Sequence, residues 1–136
     1  MGTQNGGNGG VVINTSSLGG LTSSWCFYFP IYAATKHGVV GFTRCVAKEP
    51  LIKENNVRVS AVCPPAVLSN MLATFPKQTC YEKEILASMK EDRLRKLRPI
   101  DVAKIVMDLI EDGQYNGCAC IINRKMAPKV IPEAKL

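Results

Sequence analysis

Tyr32 and Lys36 stand four residues apart, a spacing that puts both on one face of a helix. A lysine ammonium held beside a phenol favours the phenolate and lowers a tyrosine pKa that starts at about 10, which makes a general base useful near neutral pH. Ser17 ends the stretch Thr15-Ser16-Ser17, the exit of a strand-like run Gly10-Val11-Val12-Ile13-Asn14, and a serine placed there could hold a substrate hydroxyl. Tyrosine and lysine at this spacing also arise by chance. The elements that would have to position them therefore carry the weight.

Val11 to Ile13 is a short, β-branched, continuously apolar run, the pattern of a strand buried on both faces of a parallel sheet. From Leu18 to Pro30 the chain reads as a loop containing Trp25, Phe27, Tyr28 and Phe29, aromatics that either line an apolar pocket or cover the core. A helix is predicted from Pro30 to about Lys48, with Ala34, Gly38, Gly41, Phe42, Cys45 and Val46 along one side. Each glycine weakens a helix by about 1 kcal/mol, so Gly38 and Gly41 suggest close backbone packing against another element. Pro50 should end or kink this helix, Asn55-Asn56 reads as a turn, and Val57 to Val62 as the next strand, with Cys63-Pro64-Pro65 forcing an extended exit.

Between Ala66 and Arg98, the residues Tyr81, Ile85, Leu86, Met89 and Leu97 recur roughly as one helical face, belonging either to a surface helix or to a lid. Pro99 and Asp101 mark a helix start, and Val102, Ile105, Val106, Leu109 and Ile110 form a full apolar stripe. Cys118 to Ile122 is the last predicted strand. Strand, helix, strand, helices, strand is an alternation that argues for a parallel sheet with crossover helices. Three strands bury little surface, so the expected class is α/β, part of a larger doubly wound domain. The expected organisation is a flexible Gly/Asn-rich lead-in at 1–10, a partial domain at 11–124 and an irregular tail at 125–136.

Composition narrows the function. With 136 residues, 46% of them apolar, the chain suits one globular domain, and no apolar run approaches the roughly 18 residues of a membrane span. No secretory leader is visible, and a cytoplasmic location is expected. Six cysteines lack a C-x-x-C pair and stand beside a single histidine, so no metal set is expected and the thiols read as reduced and mostly buried. The net charge of +6 is spread along the chain, and its densest cluster, Lys90 to Arg98, is interrupted by Glu91 and Asp92. That argues for a solvated helix face and against nucleic-acid binding.

In order and spacing, GGVVINTSSLGG, YAATKHGVVGFTR, NNVRVSAVCPPAV and IEDGQYNGCACIIN resemble the C-terminal half of the short-chain dehydrogenase/reductase family. The resemblance implies the later part of a Rossmann-like sheet, with the nucleotide-binding half, its glycine-rich loop and its acidic ribose contact missing. It implies that Tyr32 takes the substrate proton, that Lys36 tunes Tyr32 and bonds the nicotinamide ribose, and that Ser17 positions the substrate oxygen. Pro64, Val67, Leu68 and Ser69 would meet the nicotinamide end of NAD, with NADP as the alternative. The implied reaction is oxidation of a secondary alcohol on a small hydroxy lipid, weak or absent in this chain alone. The alternative is a non-catalytic module for dimerisation or regulation; the family's dimerisation helix corresponds to residues 31–48, which implies a homodimer through that helix once the full-length context is restored. Three departures stand out. The Ser17 to Tyr32 interval is two residues longer than usual, leaving Ser16 as the alternative serine. Pro64-Pro65 replaces Pro-Gly, and Phe29 occupies the place of a polar substrate contact.

Overall fold

The structure, a computed structural model, describes residues 1–23, 26–90, 96–122 and 129–131. Trp25, the centre of the basic cluster at 91–95, Arg124 and most of the tail lie outside the described residues. Strands β1 (Gly10–Thr15) and β2 (Val57–Cys63) run parallel, with Val11 opposite Arg58 and Ile13 opposite Ser60. Strand β3 (Ala119–Ile121) runs parallel on the other side of β2. Between β1 and β2 come helices α1 (Pro30–Lys48) and α2 (Pro50–Glu54). Between β2 and β3 come α3 (Asn70–Thr74), α4 (Glu82–Lys90) and α5 (Pro99–Glu111). The predicted alternation is therefore observed. The three predicted strands are joined by a fourth: β4 (Lys129–Ile131) pairs antiparallel with β3 in what reads from sequence as irregular tail. At the other end, the lead-in carries a 3₁₀ turn at Thr3–Asn5, and Gln4 donates its backbone N–H to the Asn55 side chain at 2.9 Å.

Why β2 is central follows from its two faces. Val57 and Val59 pack with Ala47, Val46 and Ile52 of the α1–α2 layer, and Cys63 packs with Val40. On the opposite face Val62 packs with Ile105 and Leu109 of α5 and with Cys120 and Ile122. Both faces being covered, the strand needs no polar alternation. The α5 stripe is buried at Ile105 (1% exposed) and Leu109 (0%) and half-buried at Val102 and Val106, whereas its last member, Ile110, is 40% exposed. Its start is fixed by Asp101, whose carboxylate accepts the Arg98 backbone N–H at 2.9 Å and meets the guanidinium at 2.9 Å. Those hydrogen bonds from Arg98 hold the Asp101 pKa down at about 2.

Three sequence-based expectations need correction. First, the small-residue side of α1 faces outward: Ala33, Val40, Thr43 and Ala47 are buried, whereas Phe42 is 61% exposed. A Cβ added at Gly38 or Gly41 would meet nothing within 4 Å, so neither glycine serves a contact among the described residues. The inward face was hidden because it includes Thr43, a polar residue held by the Asn14 side chain at 2.9 Å. Second, Leu97 is not on the α4 face. It pairs with Val67 in an isolated parallel bridge, and among the α4 side chains described Ile85 is the buried one. Third, Cys45 and Cys80 are exposed, Cys118 is half-buried, and only Cys63 and Cys120 of the described thiols are buried. Cys45 follows the outward side of α1. Burial pushes the Cys120 thiol up to about 12.

Strand β2 also anchors the end of α5. Arg58 donates from Nη1 to the carbonyls of Leu109, Asp112 and Tyr115 at 3.1, 2.9 and 3.1 Å, and from Nη2 to Ile110 at 2.7 Å. Helix α5 has no basic residue in its own last turn. Arg58 thus supplies the cation and donors that the C-terminal carbonyls require. Replacing Arg58 with Met should lower stability to urea by about 2 kcal/mol and speed amide exchange in the last turn of α5. An unchanged urea midpoint would show that water satisfies those carbonyls equally well.

Candidate active site

The carboxyl ends of β1 and β2 lie side by side, and the site is built where they meet α1. The ladder continues past β1, with the Ser16 N–H donating to the Val62 carbonyl at 2.8 Å and the Leu18 N–H to the Pro64 carbonyl at 2.9 Å. Ser16 itself is 2% exposed and its hydroxyl donates to the Lys36 carbonyl at 2.8 Å. Its side chain is therefore committed to holding α1 against the strand. Ser17 is half-buried. Its Oγ accepts the Gly19 N–H at 3.2 Å and caps the 3₁₀ turn Leu18–Gly20, and no described residue takes its proton. Of the two candidate serines, Ser17 is the one whose hydroxyl can still donate.

Lys36 reaches back to the same strand end, its Nζ donating to the Thr15 carbonyl at 3.0 Å. The ammonium lies 5.7 Å from the centroid of the Tyr32 ring on the preceding turn of the helix. Tyr32 and Lys36 are both half-buried. The two side chains thus share one face of α1, as their four-residue spacing predicts. Cys63, fully buried at the end of β2, is pushed above the usual thiol range by burial, which the Ser16 hydroxyl and the charges of Arg44 and Lys36 offset only in part. It packs against the site as a neutral thiol.

The loop after β2 carries the other predicted site residues. The Pro64 carbonyl is taken by Leu18, and Leu68 donates its N–H to the Leu97 carbonyl at 2.8 Å while its side chain stays 50% exposed. Ser69 caps α3: its hydroxyl donates to the Val67 carbonyl at 3.2 Å and accepts the Leu72 N–H at 3.4 Å. The bridge with Leu97 uses the amides on either side of Val67, and no described residue accepts from the Val67 N–H. Leu68, Ser69, Leu72, Ala73, Met89 and Lys96 line a groove of about 230 Å³.

Phe29 is not an isolated substrate contact. It stacks on Phe75 at 4.0 Å between centroids, and Phe75 in turn meets the Tyr32 ring edge-on at 5.2 Å. Phe75 was missed by the sequence reading because nothing local distinguishes it. Its role arises from a contact with residues more than forty positions earlier.

The family model for short chain dehydrogenases matches residues 2–79, and the chain belongs to that family. The chain is 37% identical over 123 residues to 15-hydroxyprostaglandin dehydrogenase [NAD(+)] of Mus musculus, a match covering 86% of this chain and 44% of that protein. Among solved structures, F189W actinorhodin polyketide ketoreductase with NADPH is similar at a TM-score of 0.71 and 27% identity, covering 91% of this chain and 49% of that one. L-sorbose reductase of Gluconobacter frateurii, complexed with NADPH and L-sorbose, is similar at a TM-score of 0.66 and 25% identity, covering 85% and 46%. The chain spans about half the length of the curated relatives it matches.

The tightest point of the site is Gly20. A Cβ there would stand 2.5 Å from Ser16 Oγ and 2.6 Å from the Lys36 carbonyl oxygen, an atom of the helix backbone that cannot swing away. Gly20→Ala should cost about 1–3 kcal/mol by overpacking, measured by urea denaturation. A wild-type midpoint in that variant would mean that α1 is free to shift on the strand end.

Proposed function

We propose that this chain carries the proton-handling half of an oxidoreductase acting on a secondary alcohol of a lipid-like substrate, a 15-hydroxyprostaglandin or related hydroxy fatty acid. The observation that carries the reading is the Lys36 ammonium, held by the Thr15 carbonyl at 3.0 Å and 5.7 Å from the Tyr32 ring. Tyr32 takes the hydroxyl proton, Ser17 donates its free hydrogen bond to the substrate oxygen, and Lys36 stabilises the phenolate. A bound nicotinamide supplies the acceptor for the hydride that leaves the carbinol carbon. The residues present fit that group at one end: no described residue accepts from the Val67 N–H at the carboxyl end of the sheet, where open α/β sheets bind ligands. NAD is proposed as the cofactor, after the relative's name, with NADP as the alternative. Tyr32→Phe should lower formation of the reduced cofactor from a 15-hydroxy eicosanoid by about 10²–10⁴-fold. Equal turnover by the variant would sink the assignment of Tyr32.

The outward side of α1 supports a second reading, in which this chain pairs through residues 31–48 as a homodimer or as an interaction module. Ile31 is 82% and Phe42 61% exposed, and the space over Gly38 and Gly41 is open. Small residues let another helix approach closely. Gly41→Leu should therefore raise helix stability by about 0.5–1 kcal/mol while abolishing self-association in sedimentation velocity. A wild-type chain that sediments as a monomer at every concentration would remove the homodimer.

A further inference from the structure

The aromatic contacts beside Tyr32 bear on which alcohol is accepted. We infer that Phe75, with Phe29 stacked on it, is a specificity-determining wall that favours a carbinol flanked by an apolar carbon chain and disfavours a polyol. This rests on the reading of Tyr32 as the group that receives the alcohol.

Phe75 opens the 3₁₀ turn Phe75–Gln78 directly after α3, and the next residue, Pro76, is buried. Pro76 fixes the backbone at that step and so limits how far the ring can swing. A second tether holds the same segment to the loop before α1. Thr79 Oγ1 donates to the Tyr28 carbonyl at 3.4 Å, and the Tyr28 and Tyr81 rings lie 5.3 Å apart. Phe75 is thus clamped between Phe29 and Tyr32, yet it remains half-buried and keeps part of its surface open.

The chemistry of that surface is one-sided. A substrate carbon chain laid against it gains burial and dispersion contact with two rings. A second hydroxyl on the carbon beside the carbinol would face ring surfaces that accept no ordinary hydrogen bond, and would lose its water without replacement. Helix α3 connects Phe75 to a second concave surface. Ser69 caps one end of that helix and Phe75 follows the other. Five residues span about 7.5 Å. At the Ser69 end lies the groove lined by Leu68, Leu72, Ala73 and Met89, with Ser69 and Lys96 as its polar members. A chain-like substrate could run from Tyr32 past Phe75 into it.

The test uses the full chain with Phe75→Ala and Phe75→Leu, ricinoleate as a long-chain secondary alcohol, and sorbitol as a polyol. Binding of ricinoleate is measured without cofactor by calorimetry, and turnover of both alcohols by formation of the reduced cofactor. Phe75→Ala should weaken ricinoleate binding and raise its KM by about tenfold, with kcat changed by less than about threefold and the KM for sorbitol unaltered. Phe75→Leu should restore most of the ricinoleate affinity, because an apolar wall of similar size remains. Parallel loss for both alcohols, unchanged ricinoleate binding in Phe75→Ala, or no binding by the unsubstituted chain would overturn the inference. Phe75-dependent binding together with turnover that Tyr32→Phe leaves unchanged would support the wall and overturn the reading of Tyr32 instead. Turnover that depends on Tyr32 but not on Phe75 would do the reverse.

Discussion

Everything at the site depends on how closely α1 is pressed onto the end of β1. The Gly20 backbone lies against the Lys36 carbonyl, to which the Ser16 hydroxyl donates, a fit possible only because residue 20 has no side chain. From it follow the reach of Lys36 to Thr15, the position of Tyr32 one turn earlier, and the placement of Ser17 next to the buried Ser16. A contact of this type tolerates little adjustment, since neither partner is a flexible side-chain end. It makes the two serines unequal, one spent on architecture and one left with a hydrogen bond to give.

The central strand sets the second constraint. With Val57, Val59 and Cys63 turned to one helical layer and Arg58, Ser60 and Val62 to the other, β2 registers both layers at once. The loop that leaves it, Pro64 to Ser69, is then pinned from two directions, by Leu18 and by Leu97. The pinning leaves the N–H groups of Ala66, Val67 and Ser69 without a protein acceptor among the described residues.

Much of this could be read from the sequence where local physics decides. Pro30 pre-sets the first turn of α1 and Pro50 forbids its simple continuation, so both bounds were visible. The stripe from Val102 to Ile110 predicted the buried Ile105 and Leu109. What sequence hid were the features made by distant partners. Thr43 is buried because Asn14 reaches it, Leu97 joins Val67 instead of extending α4, and Phe75 acquires meaning from Phe29 and Tyr32. The three residues of β4 are too few for a periodic signal, and their pairing comes from β3. The orientation of α1 misled for a related reason: small residues look like packing positions whether the partner is present or not.

The two edges of the sheet differ: β4 is three residues long, whereas β1 is six. Strand β3 has β4 along its outer edge, whereas β1 pairs with β2 alone among the described residues, and Val11, Val12 and Ile13 stay half-exposed. Half of the amides and carbonyls of a six-residue β-branched strand thus point sideways with no ladder to join. Such a margin behaves like an unsatisfied valence. Whatever polypeptide saturates it would lie beside the strand that delivers Ser17, so the state of that margin and the state of the catalytic corner are physically one question.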